Sequence, residues 1–275
     1  MGIDNYFVWF TDATTQLLTN HSDVFQTAGL HMFKGFAIIV LVWFGLQTAL
    51  RGGFRMDRFA SLLLTIAFGF GMITFYANPI PGIGKSFHRL ISDEGIDLSE
   101  TIEANSEEDV AKKLADVYEK MDGPKGTDML DIAQVVRYYA IVLILSLAQG
   151  AILAVITLGF VAAAVCILIG PIFISFFIVP NLDFLFWNWL KAFIQYSFYP
   201  VIGNAFVYVY GELMLHFMDV HPGPWNAQTI AALFLQVLLL GIAFIWGILR
   251  VPAITSSIFA GSSGSHALPG FSGWR

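Results

Sequence analysis

Residues 138–182 run for 45 positions without one Asp, Glu, Lys, Arg or His. A helix crossing a hydrocarbon core of about 30 Å uses roughly 20 mainly apolar residues, so this run either folds back on itself or extends beyond a membrane. Four shorter apolar segments accompany it, at 29–50, 59–76, 192–211 and 228–249. Ahead of them, Ile3, Phe7, Phe10, Leu17 and Phe25 recur at near-helical intervals with Tyr6 and Trp9 beside them. That spacing predicts an amphipathic helix over 1–28, lying at a membrane surface. The expected class is all-α, a polytopic membrane protein of about five crossings.

The polar segments between the apolar ones set an orientation. Arg51, Arg55 and Arg58 crowd the turn between the first two crossings, whereas residues 1–28 carry Asp4, Asp12 and Asp23 and no Lys or Arg. The positive-inside tendency then puts this turn in the cytoplasm, the N-terminus outside, and the loop 77–132 in the periplasm. Lys34 is close enough to the start of its helix to snorkel to the headgroups. The basic n-region of a cleavable signal peptide is not expected, so the first crossing serves as its own insertion signal. Cytoplasmic placement of Lys191 and of Arg250 requires an odd number of passes through 133–182. One crossing plus a hairpin bent at Pro171 satisfies this, giving five crossings and a cytoplasmic tail over 250–275; six crossings is the alternative.

Inside the loop, Ser106 stands at a helix N-cap position, and Val110, Leu114, Val117 and Met121 form one apolar stripe. Glu108/Lys112, Asp109/Lys113 and Asp116/Lys120 support that helix, and Gly123-Pro124 ends it. The stripe packs either on a partner or back on its own loop. In the region 133–249, Gly150/Ala154 and Gly159/Ala163 allow close helix approach, within the chain or between copies. Phe184, Phe186, Trp187 and Trp189 lie beside Asp183 and Lys191, an interfacial mixture in which Trp187, Trp189 and the Pro171 bend fix the hairpin in place. The segment 192–211 carries Pro200 and is unusually polar for lipid; Gln195, Tyr199, Asn204 and Tyr208 are its candidates for lining a pathway.

Composition strengthens this picture: 57% of the chain is hydrophobic and 12% charged, and mean hydropathy is +0.70. The net charge of −6 conceals an asymmetry, because 13 of the 20 acids fall within 93–131, together with only four Lys. Clustered basic residues of a nucleic-acid-binding surface are missing. The single cysteine, Cys166, forms no intrachain disulfide and reads as a small apolar residue. Nucleotide loops, nucleophile elbows and zinc motifs are missing as well. His216, Asp219 and His221 have the wrong spacing for one helix face and read as hydrogen-bonding residues. Glu212 and Arg137, near segment ends, read as snorkelling groups. No enzymatic activity, cofactor, metal or small-molecule substrate is expected.

Two stretches carry a resemblance: Gly170-Pro171-Ile172-Phe173-Ile174 to Pro180, followed by Phe186, Trp189-Leu190 and Tyr196, and Arg250-Val251-Pro252-Ala253-Ile254 to Ala260-Gly261. Together with the order of segments they resemble the TrbL family, polytopic inner-membrane subunits of type IV secretion and conjugation machines. Gly261-Ser-Ser-Gly264 stands where that pattern often has a double glycine. The resemblance implies a non-enzymatic channel or scaffold subunit that helps move DNA or protein across the inner membrane. Its partners would be further copies of itself, other secretion subunits and lipid, with the loop helix contacting substrate or periplasmic proteins. The alternatives are a small-solute transporter or ion channel, and a structural anchor of an extracellular pilus.

Overall fold

A computed structural model describes residues 3–51, 53–92, 98, 132–221 and 227–259. Seven helices and a 3-10 turn carry most of them: α1 (Ile3–Arg51), α2 (Met56–Thr74), α3 (Ile132–Ser175), the 3-10 turn Phe176–Ile178, α4 (Asp183–Ser197), α5 (Tyr199–Val220), α6 (Ala227–Ile248) and α7 (Val251–Phe259). No strand occurs among the described residues. The helix expected to bear Val110, Leu114, Val117 and Met121, and the tail beyond residue 259, lie outside them.

Three described helices are long and apolar enough to cross a membrane, over Asp23–Leu50, Met56–Thr74 and Val135–Ile178; a bent pair, Ala232–Ile248 with Val251–Phe259, makes four if it counts as one span. The all-α, membrane-spanning class therefore stands, with three differences in detail. The segment expected at 1–28 and the first crossing share one helix, because α1 continues unbroken through residue 28. The expected hairpin at Pro171 is likewise missing: Pro171 lies inside α3, a helix of 44 residues, and the chain reverses only after Ile178, at Val179–Leu182. The run thus stays one helix, about 65 Å long at about 1.5 Å per residue, which is more than a perpendicular crossing uses.

The third difference concerns 192–211, which is not one kinked crossing. The chain breaks at Phe198 between α4 and α5. Pro200 is the second residue of α5, a position where its missing N–H has no helical acceptor to lose.

The described residues fall in two compact units. In the first, α1 and α2 form a hairpin closed by the basic turn, with Val40, Phe44 and Leu62 buried between them. Rings of Phe44, Phe54 and Phe59 pack at 5.4–6.3 Å near that turn. Arg55 and Asp57 make a 2.9 Å ion pair there, with both side chains exposed. Exposed pairs contribute little because water and salt screen them, so Asp57→Asn is expected to leave thermal melting in detergent unchanged. The larger core of this unit joins Phe33, Met72, Ile73, Tyr76, Cys166, Ile174, Ile178, Phe186, Trp189 and Phe193. After α2 the loop folds back: Phe87 N–H donates to Phe75 O (2.9 Å), and Gly82 and Gly84 adopt left-handed φ of 87° and 78° around the turn.

The second unit packs Val155, Ile248 and Val251 with Ala151, Ile152, Ile202, Phe206 and Val207 around them. Glycines set its helix spacing. A Cβ on Gly159 would stand 2.5 Å from Tyr199 Cβ, and one on Gly247 would collide with the Phe206 ring. Gly247→Ala is expected to cost about 1–2 kcal/mol, because the Phe206 ring can turn aside, read as a lower melting temperature in detergent.

Within α1, α2, α3, α4 and α7, hydroxyls turn back on their own helices. Thr48 donates to Phe44 O, Thr65 to Ser61 O, Ser146 to Val142 O, Ser197 to Phe193 O and Thr255 to Val251 O, all at 2.8–2.9 Å. That is how a hydroxyl is satisfied where the surroundings offer no water.

Candidate functional site

A proline inside a helix has no N–H for the carbonyl four residues earlier, and that carbonyl must find another donor or destabilise the helix. For Pro171 the orphan is Ile167 O. Tyr76, just past the end of α2, donates its hydroxyl to Ile167 O at 2.6 Å. One residue earlier on the same helix, Cys166 O receives Trp189 Nε1–H from α4 at 2.9 Å. Tyr76 therefore supplies the donor that Pro171 lacks, and Trp189 adds a second side-chain bond to α3 one residue earlier. Tyr76 and Trp189 are 4% exposed each, so water cannot substitute for them.

Glycine makes room for these donors. A Cβ on Gly170 would collide with the Tyr76 hydroxyl and stand 2.7 Å from Trp189 Cζ2. On the neighbouring side of α3, Gly29 of α1 lies against Pro171; a Cβ there would be 2.5 Å from both Pro171 C and O. Ser175 then donates to Gly29 O at 2.8 Å, with Pro171 O at 3.2 Å, which ties the two backbones together. Trp189 stacks on Phe193 at 5.8 Å and tilts against Phe186 at 5.9 Å. His88 from the loop places Nδ1 2.5 Å from Tyr76 O, so this nitrogen carries the proton and donates it. The result is a rigid four-way junction of α1, the end of α2, α3 and α4.

The other sequence-singled residues are dispersed. Trp187 is 42% exposed and packs edge-on to Phe177 and Phe186. Gln195 is half-buried on α4 in the first unit, while Tyr199, Asn204 and Tyr208 belong to the second. Tyr199 is buried, Asn204 half-buried and Tyr208 exposed. His216 and His221 border an open groove of about 600 Å³ with Leu213, Phe217, Val220 and Leu239. His221 pins Nδ1–H to Phe217 O at 2.9 Å, the hydrogen-bonding role expected of it.

Sequence reading missed Gly29, Tyr76, Gly170 and Ser175 as members of the junction. For Ser175 a local signal existed, since a hydroxyl four residues after a proline in a helix bonds that proline's carbonyl. For Tyr76 and Gly29, 91 and 146 residues away from their partners, none did.

The profile of the TrbL/VirB6 plasmid conjugal transfer protein family matches residues 37–251, which takes in parts of both units and the Tyr76, Ile167, Pro171 and Trp189 constellation, though not Gly29. No curated protein matches the chain. The extent of that profile match, over most of the sequence and over its apolar helices, places the chain in the TrbL/VirB6 family of plasmid conjugal transfer proteins.

Proposed function

We propose that this protein is a non-enzymatic inner-membrane subunit of a type IV secretion, or conjugation, machine, and that it works as part of an oligomer to pass DNA or protein substrates from cytoplasm to periplasm. Its N-terminus faces the periplasm, the basic turn 51–58 and the C-terminal region face the cytoplasm, and its partners are further copies, other secretion subunits and lipid. The family match over residues 37–251 carries this reading. The exposed large side chains agree with it: Ile38, Ile39, Val42 and Trp43 on α1, and Leu64 and Phe68 on α2, are each more than half exposed, an arrangement suited to lipid and costly in water.

One protomer with so few polar membrane residues cannot surround a wide aqueous route, so several copies, or copies with other subunits, must do so. The test is in vivo crosslinking of transferring DNA from probes placed in residues 77–132. Adducts that depend on active transfer support a conduit, and their absence favours a scaffold. A detergent-solubilised species of monomer size contradicts the assembly, and solute uptake by the purified chain in liposomes contradicts the secretion role.

A further inference from the structure

The break at Phe198 moves Glu212 from the edge of an apolar segment to the interior of a helix. Beside a crossing over 192–211 it would stand just past the end, where a charge reaches the headgroups. In α5, which runs Tyr199–Val220, it lies about 20 Å from one end and about 12 Å from the other at about 1.5 Å per residue.

Packing against α6 gives the same depth independently. The two helices of the second unit run antiparallel: Phe206 lies against Gly247 and 6.2 Å from Phe244, the Tyr210 hydroxyl donates to Ala243 O at 3.4 Å, and Phe217 and Gln236 border one groove. Advancing along α5 therefore retreats along α6, which sets Glu212 level with about Gly241. α6 carries no Asp, Glu, Lys or Arg and supplies much of the bent pair that is apolar enough to span. Gly241 lies about 10 Å inside the nearer end of α6. Glu has two methylenes, too short a stem to lift its carboxylate from there to the headgroups.

Tyr208, Glu212 and His216 recur every fourth residue, on one face of α5, and all three are exposed. Among the described residues Glu212 has no ion-pair partner. The same face opens on the groove of about 600 Å³, walled by Leu213, Phe217, Val220, Leu239 and Leu240 beside His216. Lipid suits that groove but not a carboxylate at this depth. Water suits the carboxylate but leaves the apolar walls wet. A protein surface suits both. The face is moreover self-complementary, since a carboxylate acceptor and an imidazole donor stand one turn apart on it.

We propose that the Tyr208–Glu212–His216 face of α5 is where a second copy of this chain docks, with Glu212 of one copy accepting a hydrogen bond from His216 of the next and apolar side chains filling the groove beside them. The inference rests on the assembly of copies proposed above and names the surface that makes it.

The experiment uses the full chain in its native membrane, co-expressed as two differently tagged copies. The photo-crosslinking residue p-benzoylphenylalanine is placed one at a time at Tyr208, Leu213 or Val220, and as controls at Phe206, which faces α6, and at Val42 on α1. Illumination is expected to give adducts carrying both tags from the first three positions and none from the controls. In the Tyr208 probe background, Glu212→Leu is expected to lower the doubly tagged adduct by about threefold or more, whereas Glu212→Gln, which still accepts a hydrogen bond, keeps most of it.

Adducts from the α5 face with lipid alone, within a single chain alone, or with a different protein overturn the proposal, as does a yield unchanged or raised by Glu212→Leu. The probe arm alters nothing at Glu212, so it decides the matter even where a variant fails to accumulate. Native electrophoresis of the same mildly solubilised membranes separates the two levels of the claim. An oligomer without doubly tagged adducts shows that the face is wrong while the assembly stands, and a monomer shows that the assembly itself is wrong.

Discussion

Gly29→Ala is expected to be among the most damaging single-methyl changes in the first unit. The added Cβ would sit 2.5 Å from two backbone atoms of Pro171 and 2.7 Å from its ring. Backbone cannot swing aside as a side-chain tip can, and proline further restricts the local dihedrals. The helices must separate, which also lengthens the Ser175 bond to Gly29 O and opens the core around Phe33 and Ile174. A cost of about 3 kcal/mol or more follows, at the upper end for overpacking. Gly35 and Gly45 on the same helix have nothing within 4 Å of an added Cβ. Gly35→Ala and Gly45→Ala are therefore expected to be neutral or stabilising by up to about 1 kcal/mol, since alanine is the better helix former. Thermal unfolding of the detergent-solubilised protein, followed by loss of the monodisperse chromatographic peak, distinguishes the two classes. Equal behaviour of all three variants would contradict the close α1–α3 contact.

Tyr76→Phe is expected to be costly for a different reason. The ring stays, and only the donor to Ile167 O is lost. A buried carbonyl without a partner costs about 1–3 kcal/mol, and in a lipid setting measured side-chain bonds between helices average nearer ~0.6 kcal/mol with larger extremes. The bond here serves a carbonyl orphaned by proline, so the upper part of that range applies. Trp189→Phe removes the donor to Cys166 O and part of the stacked area on Phe193, and is expected to cost about 2 kcal/mol or more. The decisive form is a double-mutant cycle. Pro171→Ala restores a backbone N–H for Ile167 O, so the Tyr76→Phe penalty should shrink by about 1 kcal/mol or more in that background. An unchanged penalty would mean that Tyr76 matters only through packing.

These effects mark where sequence reading succeeded and where it stopped. The apolar segments were legible because a bilayer imposes a length and a composition on any helix that crosses it. What Pro171 does was not. From sequence it reads as a bend, since a proline removes a helical bond, and whether the helix breaks depends on donors arriving from elsewhere. Here Tyr76 arrives on the orphaned Ile167 O, and the chain turns at Val179–Leu182 instead, where Asn181 accepts a left-handed conformation. Trp187 and Trp189 read from sequence as interfacial anchors of a hairpin, a character that did not foretell Trp189 as a buried side chain bonded to Cys166 O. The Phe198 break is similar: Pro200 suggested a kink in a continuous helix, while the chain uses it to begin a new one. Periodicity reports which face of a helix is apolar, but long-range contacts decide where a helix is interrupted.

The central claim is that lipid covers the apolar faces of α1 and α2, where Ile38, Val42, Leu64 and Phe68 stand exposed. Alkaline carbonate extraction of membranes from cells expressing the full chain tests it most directly. The account predicts that the protein stays in the membrane pellet and leaves it only with detergent. Recovery of a folded, monodisperse species in the detergent-free supernatant would contradict it.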